Sequence, residues 1–148
     1  MINANIILDN KVWNKDIKNL NFFFKKKLKI VSNLYFLKKK NHYFTILLTT
    51  NKIIKKLNSK FRNKNKTTDV LSFPFNEKIK KNCFLGDIAI SYEIVKKRSY
   101  KSSFSIELDK MWVHGLLHLL GYDHKQSKDY FKMLSREKII LKKLEIIN

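Results

Sequence analysis

The stretch Val113-His114-Gly115-Leu116-Leu117-His118-Leu119-Leu120-Gly121-Tyr122-Asp123-His124 decides how this chain is read. Ser105 is a candidate cap, and the spacing predicts a helix from about Ile106 to Leu120, stopped by Gly121. On that helix His114 and His118 lie one turn apart and point the same way, so both imidazoles can reach a single ion at about 2.0 to 2.1 Å. Gly121 lets the chain leave the helix in a backbone conformation costly for other residues, and the turn can swing His124 round as a third ligand. Three neutral nitrogens leave a fourth tetrahedral position open, the catalytic rather than the structural pattern for zinc. Two histidines at this spacing would be a weak signal, since such pairs commonly just pack and hydrogen-bond. The third, at the right offset, favours a metal site.

Upstream of this stretch, Ile2, Ala4, Ile6 and Leu8 fall on one side of an extended chain, a first strand over residues 2–8. From about Asn14 to Lys38 the residues Ile17, Leu20, Phe24, Leu28, Val31, Leu34 and Tyr35 recur at steps of three or four, which predicts an amphipathic helix with a break near Ser32. His42 to Thr49 reads as a strand, and Thr50 or Asn51 caps a helix running to about Asn58. A polar loop to Thr68 follows, then a strand over 70–75 that ends near Pro74, an edge or terminal position because proline cannot donate to a ladder. Residues 76–82 read as a charged loop, and a strand from Phe84 to Ser91 can return antiparallel. A basic helix runs from Ser91 to about Tyr100, and a last helix spans about Ser127 to Ile147. This order predicts an α+β fold, a small mixed β-sheet packed with about five helices, with the metal site at a helix C-terminal end and residues 1–148 forming one domain.

Composition bounds the function. The 148 residues are 44% hydrophobic, enough for one core and too much for a chain that stays disordered. No run approaches the roughly 18 apolar residues of a membrane span, and no secretory leader pattern opens the chain. A soluble, cytoplasmic protein is expected, and the lone Cys83 lacks metal-binding spacing and rules out an intrachain disulfide. The net charge of +20 suits phosphate backbones. It also has a bland source: among 32 basic residues only Arg62, Arg98 and Arg136 are arginines, and the excess of Lys, Asn and Ile is what an AT-rich genome drifts toward. The partner must therefore be argued from a site.

The histidine segment spells H-x-x-x-H-x-x-G-x-x-H, the metzincin protease spacing, but Gly115 stands where those proteases carry their general-base glutamate. A helical glycine there marks close approach of substrate, or a tight contact of helix with sheet. Residues 113–124 resemble the signature of the YbeY endoribonucleases. A second block agrees, Leu57-Asn58 with Phe61-Arg62 and then Thr68-Asp69-Val70-Leu71-Ser72-Phe73-Pro74, and Leu85-Gly86-Asp87-Ile88 is a third match. The resemblance covers roughly residues 46–124.

What the resemblance implies is a zinc-dependent, single-strand-specific endoribonuclease acting in 16S rRNA 3′ end maturation and ribosome quality control. It would hold one zinc ion per chain on His114, His118 and His124, use Arg62 as its functional arginine, and have ribosomal RNA and the small ribosomal subunit as partners, with no membrane and no DNA. Lys110 stands where the family often has His, and so does not join the metal shell. Asn63-Lys64-Asn65 replace a Gly-rich stretch, and Thr67 replaces a usual proline. Arg62, kept as arginine in a chain that otherwise favours lysine, offers the planar fork that binds phosphate bidentately. Asp123 fits a turn or a brace for an imidazole better than a catalytic base. Asp69, Ser72 and Asp87 could brace the strands, and His42 lies apart from the cluster. Lys96, Lys97, Arg98 and Lys101, with Lys64 and Lys66, could track a nucleic-acid backbone or form a solvated face. Tyr92, Tyr100 and Phe61 could stack on bases or belong to the core. Three imidazoles would also accept nickel or copper. Two rival readings remain, a non-catalytic rRNA-binding assembly factor with a structural metal, and a metallopeptidase, against which Gly115 argues.

Overall fold

Among the described residues, alternating branched and aromatic residues build four strands, β1 (Ile2–Leu8), β2 (His42–Thr49), β3 (Val70–Pro74) and β4 (Phe84–Ser91). Five α-helices among the described residues accompany them, α1 (Leu20–Ser32), α2 (Asn51–Arg62), α3 (Tyr92–Arg98), α4 (Phe104–Leu119) and α5 (Ser127–Glu145). The computed structural model describes residues 1–34, 36–37, 41–75, 84–124 and 126–145. The expected loop 76–82, Cys83 and the expected end of the last helix at Ile147 lie outside the described residues. The sheet has the order β1-β2-β4-β3, with β1, β2 and β4 parallel and β3 antiparallel to β4. The expected mixed α+β arrangement is therefore present, with proline on an edge strand where its missing N–H costs no ladder bond. Among the described residues no helix is long and apolar enough to cross a membrane.

Period-two alternation sorts each strand between two layers. Phe44, Ile46 and Leu48 of β2 and Ile88 and Ile90 of β4 share the main core with Phe24 and Leu28 of α1 and Trp112, Val113 and Leu116 of α4. On the opposite face Leu71 of β3 and Ala89 of β4 pack with Ile54 of α2. On β3, Leu71 and Phe73 join the α2 layer, which turns Val70, Ser72 and Pro74 the other way. Helix α4 crosses β3 and β4 on the main-core side, toward which Val70, Ser72 and Pro74 point.

The long helix expected over 14–38 is two pieces. A 3₁₀ turn at Lys11–Lys15 buries Trp13 completely, edge-on to Tyr92 and Phe104, with its indole N–H donating to the Thr49 carbonyl at 3.2 Å. Helix α1 then starts afresh because the Asn19 side chain accepts from the Phe22 amide at 2.9 Å. It ends at Ser32, where the break was expected. Three other boundaries move. Ser103, not Ser105, caps α4 by accepting from the Ile106 amide at 3.1 Å. Helix α2 runs four residues past Asn58, so Arg62 is its last residue rather than part of a loop. Helix α3 gives way at Ser99–Lys101 to a 3₁₀ turn that carries Tyr100.

A buried ion pair ties α1 to α4. Lys27 of α1 donates to Asp109 of α4 at 2.5 Å, and the Trp112 indole donates to the other carboxylate oxygen at 2.9 Å. Both charged side chains are nearly inaccessible. Burial holds the Lys27 ammonium below its ordinary value, against the opposing pull of Asp109.

Candidate metal centre

The three expected histidines meet. Their candidate ligand atoms all lie within 4.8 Å of one another, and they form the one such group of metal-ligating side chains among the described residues. His114 and His118 come from successive turns of α4. Leu120 and Gly121 then close the helix as a Schellman turn: the Tyr122 amide donates to the Leu117 carbonyl and the Gly121 amide to the His118 carbonyl, each at 3.0 Å. This closure needs φ of +87° at Gly121, a value glycine adopts without steric cost. The chain thereby doubles back and delivers His124, whose amide donates to the Asp123 carboxylate at 2.7 Å. Asp123 thus serves the turn, the first of the roles its position allowed.

Hydrogen bonding sets which ring nitrogen faces inward. The His118 Nδ1–H donates to the Tyr122 carbonyl at 3.0 Å, which leaves Nε2 with its lone pair. Across from it, at 3.2 Å, is Nε2 of His114, whose Nδ1 faces the Glu137 carboxylate at 3.5 Å. A proton on Nδ1 of His114, facing that carboxylate, would leave two lone pairs pointing at each other, an arrangement that a cation between them relieves. The separation is close to the ~3.3 Å between two nitrogens each bonded at about 2.0 to 2.1 Å to a tetrahedral ion. The donor set therefore fits a metal of the zinc type. Burial, and then the neighbouring rings of His114 and His124, hold the His118 imidazole below its ordinary value, which favours the neutral form a ligand needs.

Glu137, midway along α5, was not legible as part of this site. The only sequence signal was its place on the polar side of a predicted helix; its position behind His114 depends on how α5 packs against α4.

The histidines line a cleft of about 570 Å³. Val70, Ser72 and Pro74 of β3 form its floor and Thr68, Asp69 and Arg62 its rim. Arg62 is exposed, and one of its N–H groups donates to the Ser72 carbonyl at 3.0 Å, which fixes the guanidinium over the cleft with other donors free to face a ligand. The chain turns there through Asn63 at φ of +53°, the left-handed conformation that asparagine tolerates best among residues with a side chain, so this position accepts the loss of a Gly-rich stretch. Gly115 faces away from the cleft. A Cβ there would sit 2.9 Å from Ile88 Cγ2, so the glycine serves a tight contact between helix and sheet. Its carbonyl accepts from the Ser72 hydroxyl at 3.4 Å.

Other expected residues lie outside the cleft or serve packing. Lys110 donates to Glu107 at 2.7 Å and borders a neighbouring depression. His42 stands at the start of β2, opposite Ile2. Tyr92 belongs to the core: its hydroxyl donates to Asp16 at 2.8 Å, and burial with that bond pushes the phenol up to about 12. Phe61 packs edge-on against Phe73, and Arg98 pairs with Asp69 at 2.8 Å.

Comparison with known proteins agrees with this geometry. The family described as Endoribonuclease YbeY matches residues 7–145. A Pelagibacter ubique protein named Endoribonuclease YbeY is 47% identical over 96% of this chain and 95% of its own length. The protein of that name from Bartonella bacilliformis is 37% identical over 100% of this chain and 96% of its own. The solution structure of a Thermotoga maritima protein superposes with a TM-score of 0.66 at 24% identity, covering 96% of this chain and 89% of that one, which supports the fold.

Proposed function

This chain belongs to the YbeY endoribonuclease family, and we propose that it is a zinc-dependent endoribonuclease that cuts single-stranded RNA. We place its work in the cytoplasm, on 16S rRNA of the small ribosomal subunit, in 3′ end maturation and ribosome quality control. The observation that carries the enzymatic reading is the pair of facing Nε2 atoms 3.2 Å apart in a cleft that Arg62 overhangs.

In this reading His114, His118 and His124 hold one zinc ion. When bound, zinc supplies Lewis-acid stabilisation of the charge that develops on a phosphoryl group. The chain's own residues do the rest. Arg62 binds the scissile phosphate bidentately, its plane set beforehand by the Ser72 carbonyl. Val70, Ser72 and Pro74 give the strand a floor against which it lies extended. Gly115 leaves no carboxylate after His114, so the general base of a peptidase of the metzincin type is missing from this site.

Cleavage of a single-stranded RNA by zinc-loaded protein tests this, beside His114→Ala and Arg62→Ala with bound metal measured in each. We expect His114→Ala to lose metal and cutting together, and Arg62→Ala to keep metal while cutting falls at least about 100-fold, the scale of one lost charge-stabilising donor. Tight metal binding with RNA bound but left intact by all three proteins would replace this reading with the non-catalytic assembly factor.

A further inference from the structure

The cleft does not end at the histidines. It shares Asp69, Val70 and His114 with a second depression of about 400 Å³, which Arg98, Lys110 and Lys138 also border. That depression shares Arg98 with a shallow basin of about 990 Å³, lined by Lys96, Lys97, Tyr100 and Lys101. Three concavities thus border one another in turn, the first two along Asp69, Val70 and His114 and the last two along Arg98. Their acids are mostly engaged: Asp69 with Arg98 at 2.8 Å, and Glu107 with Lys110 at 2.7 Å and Ser102 at 2.8 Å. Lys97 and Lys101 have no carboxylate partner among the described residues.

Charge alone would not single out this path on so basic a surface; Tyr100 does. It is 94% exposed, the most open large apolar side chain among those described. Phe61 and Tyr130, also exposed, rest on Phe73 and Phe131, whereas no ring contact or hydrogen bond engages Tyr100 among the described residues. Its backbone is nonetheless fixed. The Ser99 hydroxyl donates to the Lys96 carbonyl at 2.8 Å, the Ser102 amide to the Ser99 carbonyl at 3.2 Å, and the Ser102 hydroxyl to Glu107. An aromatic ring held out from an ordered turn, between two unpaired lysines, is a stacking platform for a base flanked by phosphates.

We infer that single-stranded RNA runs from the metal cleft across the Asp69–Arg98 pair to the basin, where Tyr100 stacks on an unpaired base and Lys97 and Lys101 meet the adjoining phosphates. This rests on the nuclease reading and extends it from the cut bond to the recognition of flanking nucleotides. Duplex RNA, whose bases are already stacked and paired, cannot use the platform, so this track selects for single strands.

Binding of 2′-O-methyl oligonucleotides by the zinc-loaded chain, followed by fluorescence anisotropy, tests it. Wild type should bind a strand of about ten nucleotides at least fivefold more tightly than one of about three. Tyr100→Ala should lose most of that gain and Tyr100→Phe should keep it. The double variant Lys97→Gln with Lys101→Gln should flatten the slope of log affinity against log salt by about 1.4. The track is overturned if Tyr100→Ala binds the longer strand as wild type does, which would leave the basin to another partner such as an acidic protein, or if Tyr100→Phe is as weak as Tyr100→Ala. Cleavage of RNA by wild type and its loss in His114→Ala are scored separately, so a failed track with intact cleavage leaves the nuclease reading standing.

Discussion

Among single residues, Glu137 is the one whose contribution the structure adds. A carboxylate on the far nitrogen of a ligating imidazole fixes the ring and its tautomer and raises its basicity, and such partners typically contribute 10- to 100-fold in metal affinity. Glu137→Gln should therefore weaken zinc binding about tenfold or more in a competition titration while leaving the melting temperature of the metal-free protein unchanged. Equal affinities would reduce Glu137 to a surface acid. The histidine cluster itself was legible because helical spacing and a glycine stop act locally, over eleven residues. Glu137 was not, because nothing local connects two helices. Gly115 shows the same limit: its sequence suggested either substrate approach or packing, and only the position of Ile88 on β4 decides for packing.

At the level of elements, strands and the edge position of β3 could be read from alternation and Pro74, while the extent of the first helix could not. Periodicity carried that reading back to Asn14, but the buried Trp13 draws its segment into a separate turn and Asn19 opens a new helix. Lys27 was hidden for a related reason, since a lysine on an amphipathic helix ordinarily faces water. Its partner lies on α4, 82 residues away. Asp109→Asn would leave an ammonium buried without its counter-charge, and we expect a loss of about 3–5 kcal/mol in urea unfolding. Adding Lys27→Met should recover part of it, because the amide oxygen still accepts from Trp112 and no lone charge remains. A loss below about 1 kcal/mol for the single substitution would mean that the pair contributes no more than an exposed one.

Across the whole molecule the net charge of +20 makes acid a sensitive variable. Burial alone would raise Asp16 and Glu107, but hydrogen bonds from Lys96 and Tyr92 to the first, and from Lys110 and Ser102 to the second, hold both below their ordinary values of 3.8 and 4.5. A carboxylate depressed in the folded state contributes stability that is complete above its ordinary value and is lost as pH falls through the lowered one. Urea midpoints should thus drop below about pH 4.5, less steeply in Glu107→Gln, in addition to an earlier loss below about pH 6.5 that the depressed His118 imidazole imposes; an equal drop below pH 4.5 in that variant would assign the acid sensitivity elsewhere. The sheet edge at the cleft has a consequence of another kind. Ladder bonds from Ser91 to Asp69 and from Phe75 to Leu85 set the alternation along β3, so Val70, Ser72 and Pro74 direct their backbone groups outward. The Val70 amide is taken by the Asp69 carboxylate, the Ser72 carbonyl by Arg62, and Pro74 has no N–H to offer. Strand addition by another copy of the chain is blocked at three successive outward positions, one of them by Arg62, the residue assigned to the phosphate. Replacing Arg62 thus uncovers an adhesive edge as well as a cleft, and an inactive variant at that position should be checked for self-association before its silence is credited to chemistry.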